Sequence, residues 1–85
     1  MNRVRISHED PADGQVVTLN AYKRPEDTQW TCEVTAQFDD RTSVYRADDD
    51  DGLFSDLPAQ FAAHTGKPIE QMRPHGVKIR PGRGG

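Results

Sequence analysis

Apolar and polar residues alternate without exception from Trp30 to Phe38. Trp30, Cys32, Val34, Ala36 and Phe38 occupy one set of positions, and Thr31, Glu33, Thr35 and Gln37 the other. A period of two is that of a strand with one buried face and one wet face. Arg3–Ser7 alternates in the same way, with Val4 and Ile6 on one side and both arginines on the other. Gln15–Lys23 gives a further strand, with Val17, Leu19 and Ala21 sharing a face and Val16, Thr18, Asn20 and Tyr22 opposite. Between these two strands lies the turn His8–Gly14, where proline and Asp-Gly stop both ladders and helices. Asp39-Asp40 has the character of a two-residue hairpin turn into Thr42–Ala47. Such a turn sets Phe38 against Arg41, Ala36 against Ser43, Val34 against Tyr45 and Cys32 against Ala47. It also places Glu33 opposite Arg46 and leaves Tyr22 and Val44 on the wet face.

The period changes after Asp48-Asp49-Asp50-Asp51-Gly52. Leu53, Phe54, Leu57, Phe61 and Ala62 form one helical stripe, while Ser55, Asp56, Ala59, Gln60, Ala63 and His64 fall outside it. Acidic residues ahead of the stripe suit the positive end of a helix, Gly66 suits its left-handed stop, and Pro68 follows. Val77–Arg80 is a last short strand. The expected fold is α+β, a small four-stranded, mainly antiparallel sheet with one helix, about residues 53–65, packed on one face. Residues 1–80 form a single domain in this reading, and residues 81–85 a flexible glycine-rich tail.

The segments Thr31–Phe38 and Thr42–Ala47, the helix through Phe61, and Gly66-Lys67-Pro68-Ile69-Glu70-Gln71-Met72-Arg73 follow one another as hairpin, acidic turn, helix, glycine stop, proline bend and strand. This order over residues 30–80 resembles that of a ubiquitin-like β-grasp fold. The chain closes Arg83-Gly84-Gly85, which is similar to the tail of ubiquitin-type modifiers, where the terminal glycine carboxylate is activated. Two strands ahead of the hairpin, and the lack of the usual segment between the third strand and the tail, depart from that family.

Composition changes the picture in two ways. Leu, Ile, Val and Phe supply only 15 of 85 residues, so the core is small and the stability modest. The net charge of −3 conceals a polarised chain: residues 1–38 carry −2, residues 39–65 carry −5 and residues 66–85 carry +4. A single cysteine excludes an internal disulfide and points to a reducing, cytoplasmic setting. The chain has no apolar run of spanning length, so no membrane role is expected. Eight arginines against three lysines, with abundant Ala, Asp, Gly and Pro, suggest a GC-rich bacterial or phage source.

The chemistry-bearing residues do not converge. Setting Gly52 at the sixth place of a calcium loop puts Ala47 first and Pro58 twelfth, where carboxylates are required. Cys32 stands alone on the apolar face of its strand, a packing position. His8, His64 and His75 have no ligand spacing, and no nucleophile elbow or phosphate-binding glycine loop is present. Neither catalysis, metal nor cofactor is expected.

Two binding classes remain. The first is a small non-enzymatic protein-binding module, of the inhibitor or host-directed phage-protein kind. It would meet a basic partner through the acidic surface of Asp48, Asp49, Asp50, Asp51 and Asp56, aided by Tyr22 and Val44. The alternative is a nucleic-acid-binding accessory protein using Arg3, Arg5 and Arg46 on the sheet with Arg80 and Arg83 in the basic tail.

Overall fold

The computed structural model describes residues 1–80. It is an α+β fold in which one antiparallel sheet of five strands carries a helical layer on one face. The strands are β1 (Asn2–Glu9), β2 (Val16–Lys23), β3 (Trp30–Ala36), β4 (Thr42–Ala47) and β5 (Arg73–Arg80), in the order β4-β3-β2-β1-β5. The first four form a meander. The chain then crosses as helices α1 (Asp50–Ser55) and α2 (Leu57–Thr65) and a 3-10 turn (Ile69–Gln71), and returns as β5 against β1.

The fifth strand corrects the four-strand expectation, and it is longer than the short strand Val77–Arg80 because pairing begins at Arg73. Pro74 lies within it, opposite His8, where the register slips between Ser7 and His8. Proline has no N–H to give a ladder, and an edge strand at a bulge is where it is tolerated.

The core collects the inward residues of β1–β4, namely Val4, Ile6, Val17, Leu19, Ala21, Trp30, Cys32, Val34, Ala36 and Ala47, beneath Leu53, Leu57, Phe61 and Met72. Alternation in the strands thus reports burial correctly. The departures are Phe38, 59% exposed, Val77 and Ile79 of β5, also exposed, and Ser7 and Thr18, buried on the opposite face. Pairing of β3 with β4 ends at Thr35 and Thr42, so residues 37–41 form a longer connection in place of the two-residue turn. Cross-strand partners shift by two residues: Trp30 faces Ala47, Cys32 faces Tyr45 and Val34 faces Ser43. Side chains keep their faces under an even shift, but Glu33 now stands opposite Val44, and Arg46 opposite Thr31.

The helical layer differs from a single helix over 53–65. Asp49 caps α1 by accepting the Gly52 amide at 2.6 Å, so the helix starts three residues early, at Asp50. Gly52 suits this close approach, since a Cβ there would lie 3.2 Å from the Asp49 carboxylate. Pro58, in the first turn of α2, cannot donate a helical hydrogen bond, and the helix breaks at Asp56. The break turns the α1 stripe, leaving Leu53 buried and Phe54 44% exposed. Gly66 ends α2 at φ 75°, the left-handed stop expected of it.

His64 reverses its expected place outside the helix, with a side chain fully shut from solvent. Its Nδ1 bonds Ser43 Oγ at 2.7 Å, its Nε2 lies 3.3 Å from Asp39 Oδ1, and its carbonyl accepts from Arg41 at 2.9 Å. These bonds fasten the 37–41 connection to the end of α2, which is why that loop is longer than a tight turn. At the other end of the sheet, Lys67 donates to buried Asp10 at 2.6 Å and locks the exit of α2 to the β1–β2 turn.

Candidate functional site

The sheet face away from the helices is organised by register into rows. One row runs Arg80, Arg3, Tyr22, Thr31, Arg46 across β5, β1, β2, β3 and β4. The next runs Lys78, Arg5, Asn20, Glu33, Val44, and a third runs Gly76, Ser7, Thr18, Thr35, Thr42. In the third row Ser7 and Thr18 satisfy each other, hydroxyl to hydroxyl, at 3.1 Å.

Residues of the first two rows on β1, β2 and β3 border a half-open groove of about 570 Å³, lined by Arg3, Arg5, Asn20, Tyr22, Arg24 and Glu33 among others. Arg3, Arg5 and Arg46 are exposed, and none has a carboxylate partner among the described residues. By contrast, Arg73, at the start of β5, is held by Glu9 at 2.7 Å. Tyr22 is half-buried, and the Arg24 guanidinium carbon lies 5.8 Å from its ring centre, within cation–π range.

Electrostatically, three cationic side chains, Arg3, Arg5 and Arg24, line the groove against one carboxylate, Glu33. Like charges gathered round one groove repel. An anion placed between them removes that repulsion, so the arrangement favours a bound phosphate or carboxylate.

The sequence-derived residues divide between two places. Tyr22, Val44, Arg3, Arg5 and Arg46 share the outer face, Val44 being 58% exposed beside Glu33. Arg80 enters by its backbone pairing with Arg3, and Arg83 lies outside the described residues. Asp48, Asp49, Asp50, Asp51 and Asp56 lie at the exit of β4 and along the helices, all exposed. Three of them bond within the fold. Asp48 accepts from Gln29 at 2.5 Å, Asp49 caps α1, and Asp50 accepts the Trp30 indole N–H at 2.9 Å. Asp51 and Asp56 point no side-chain hydrogen bond into the fold.

Asn20, Glu33 and Arg24 escaped the sequence reading. Asn20 and Glu33 meet only because β2 and β3 pair in this register, and Glu33 is free of Arg46 only because the hairpin is longer than its two aspartates suggest. The alternation of β2 and β3 did put both residues on the wet face, and that was the available signal.

The remaining titratable groups have structural surroundings. Burial pushes the Cys32 thiol up and the Tyr45 phenol up, so both stay protonated in the core. Burial also lowers His8, whose ring packs edge-on against Phe61 at 5.4 Å with Nδ1 buried and unpartnered. Asp39, Ser43 and His64 have the residue types of an acyl-transfer triad, but here the imidazole is sealed in the core and serves as a joint between loop, strand and helix. Among the described residues, no three His, Cys, Asp or Glu side chains gather as a metal site.

No protein-family model matches this chain, and no curated protein or solved structure matches it either. These comparisons neither support nor oppose the likeness of residues 30–80 to ubiquitin-like folds. The chemistry of the outer face is therefore the basis for a functional reading.

Proposed function

We propose that the protein binds nucleic acid through the outer face of its sheet. The observation that carries this reading is the groove lined by Arg3, Arg5 and Arg24, none of them held by a carboxylate among the described residues, with the Tyr22 ring beside them. Three cationic side chains lining a groove with an aromatic ring suit a phosphate backbone with its bases alongside.

The acidic overall charge does not oppose this. The aspartates adjoin β4, and Arg3 and Arg5 lie on β1, three strands away in the sheet. At about 4.8 Å per strand that is roughly 14 Å. The distance exceeds the screening length of about 8 Å at physiological salt. The charge is thus polarised across the sheet and orients a polyanion toward β1.

Fluorescence anisotropy of a labelled ten-nucleotide strand, titrated with the full chain at several salt concentrations, tests the reading. Wild type binds at low salt with a steep salt dependence, and the double variant R3A/R5A loses at least about 0.7 from the log–log slope, the share of one single-strand phosphate contact. Absence of binding at low salt, or an unchanged slope in R3A/R5A, overturns it.

One observation favours the protein-binding reading. Phe54, 44% exposed, stands among Asp51, Ser55 and Asp56 on the helical layer, an aromatic group within acidic surroundings. That patch suits a basic partner with an apolar centre. Loss of partner capture in D51N/F54S, with capture intact in R3A/R5A, would assign function to the helices instead.

A further inference from the structure

The groove holds a feature that phosphate binding does not explain. A carboxylate, Glu33, lines it together with three arginines, and it makes no ion pair with any of them. A negative charge beside a phosphate site weakens the site, so Glu33 needs another role if the groove binds a polyanion. The second row gives one. Across three adjacent strands it presents Arg5, then Asn20, then Glu33. The row changes from pure donor, through an amide that both donates and accepts, to pure acceptor.

Nucleobase edges carry complementary gradients. Guanine has two acceptors, O6 and N7, at one side and two adjacent donors, N1–H and the N2 amino group, at the other. Arginine is the side chain that pairs with O6 and N7. A carboxylate accepts two parallel N–H bonds, which matches N1–H and N2–H. Adenine and cytosine offer their amino group next to an acceptor nitrogen, and thymine and uracil offer one N–H between two carbonyls, so each leaves one carboxylate oxygen facing an acceptor. Neighbouring strands are about 4.8 Å apart, so Arg5 and Glu33 are separated by roughly 9.6 Å at the backbone, a gap that their side chains and one purine can span.

The shape of the groove sets the form of the nucleic acid. A volume of about 570 Å³ takes one nucleotide unit, and Tyr22 offers a ring beside it. In a duplex the base is stacked and its N1 edge is already paired. Only an unpaired strand can lay a base against Tyr22 and turn that edge toward Glu33.

We infer that the groove binds a guanine of a single strand, with Tyr22 stacking the base, Arg5 and Glu33 reading its two edges, and Arg3 taking the adjoining phosphate. This rests on the nucleic-acid reading above and goes beyond it by naming strandedness and base.

The experiment measures anisotropy of four labelled ten-nucleotide strands, all thymidine or carrying one central guanine, adenine or cytosine. Wild-type full chain, E33Q and R3A/R5A are compared, with guanosine monophosphate as competitor. The Glu33 carboxylate makes no hydrogen bond within the fold among the described residues, and Gln conserves its size. The guanine strand binds about tenfold more tightly than the other three. E33Q removes that preference while leaving or strengthening affinity for the all-thymidine strand, and R3A/R5A weakens all four strands. Guanosine monophosphate competes at least tenfold more weakly than the guanine strand.

Equal binding of all four strands, or a guanine preference that survives in E33Q, overturns the base assignment while the nucleic-acid reading stands. Guanosine monophosphate as tight as the strand overturns the assignment to a polymer. No binding to any strand overturns both readings.

Discussion

Substituting Asp49 separates the structural work of the acidic segment from any contact it makes with a partner. Its carboxylate accepts the Gly52 amide at 2.6 Å and closes the first turn of α1. Removing an N-cap side chain costs about 1 kcal/mol, within a range of roughly 0.5–2. For a domain of this length that lowers the melting temperature of D49A by about 4–8 °C. Asparagine accepts the same bond, so D49N stays within a few tenths of a kcal/mol of wild type. Asp51 is exposed and caps nothing, and D51A changes stability by less than about 0.5 kcal/mol. Thermal and urea unfolding followed by circular dichroism ranks the three. A D49A as stable as wild type, or a D49N as damaged as D49A, refutes the cap. The ranking has a practical consequence: exchanging all of Asp48–Asp51 for asparagine removes the charge while keeping the cap, so the acidic surface can be tested for partner capture on a folded protein.

Phe61 is fully buried and also packs against His8, so F61A costs roughly 3–5 kcal/mol, visible as a large fall in the urea midpoint. The pH dependence on the acid side has two stages. Burial lowers His8 below its usual 6.5, so its contribution is complete above that value and declines as pH falls through the folded pKa. Asp10 is depressed below 3.8, first by the hydrogen bond from Lys67 and then by the Ala12 amide, so its contribution persists above 3.8 and is lost as pH falls further. Urea midpoints at pH 7.5, 5.5 and 3 follow both stages, and H8F abolishes the first, while an H8F that declines as wild type does refutes it. Lys67 is raised above 10.5 by the same Asp10 bond, so its contribution is complete below that pH and is lost as pH rises through the folded value. K67M accordingly destabilises at pH 7, and its effect shrinks as pH falls through the depressed folded pKa of Asp10; a loss that stays constant down into strong acid contradicts the pairing.

Much of the fold is legible in the alternation of its strands, because Val4, Leu19, Cys32 and Val34 are buried by the same periodicity that displays them in the sequence. The misreadings occur where tertiary bonds outweigh local pattern. Phe38 continues the alternation of β3, but His64, Asp39 and Arg41 fasten the loop beyond Ala36, and the aromatic ring is left outside. His64 looks polar on a helical wheel, and only the approach of Ser43 from β4 makes its burial favourable. The extent of α1 follows from the Asp49 cap and the break at Asp56, both hidden inside a run of aspartates that composition describes only as acidic.

The outer face was partly visible. Arg3, Arg5, Arg46, Tyr22 and Val44 fall on it by alternation alone. Their grouping with Asn20, Glu33 and Arg24 depends on strand order and register, which no single strand encodes.

The most direct test of the outer face is a two-dimensional amide NMR titration of isotope-labelled protein with a short guanine-containing strand at low salt. Binding there perturbs the amides of Arg3, Arg5, Asn20, Tyr22 and Glu33 first and leaves residues 48–56 unmoved. Perturbations confined to residues 48–56, or none across β1, β2 and β3, contradict the account.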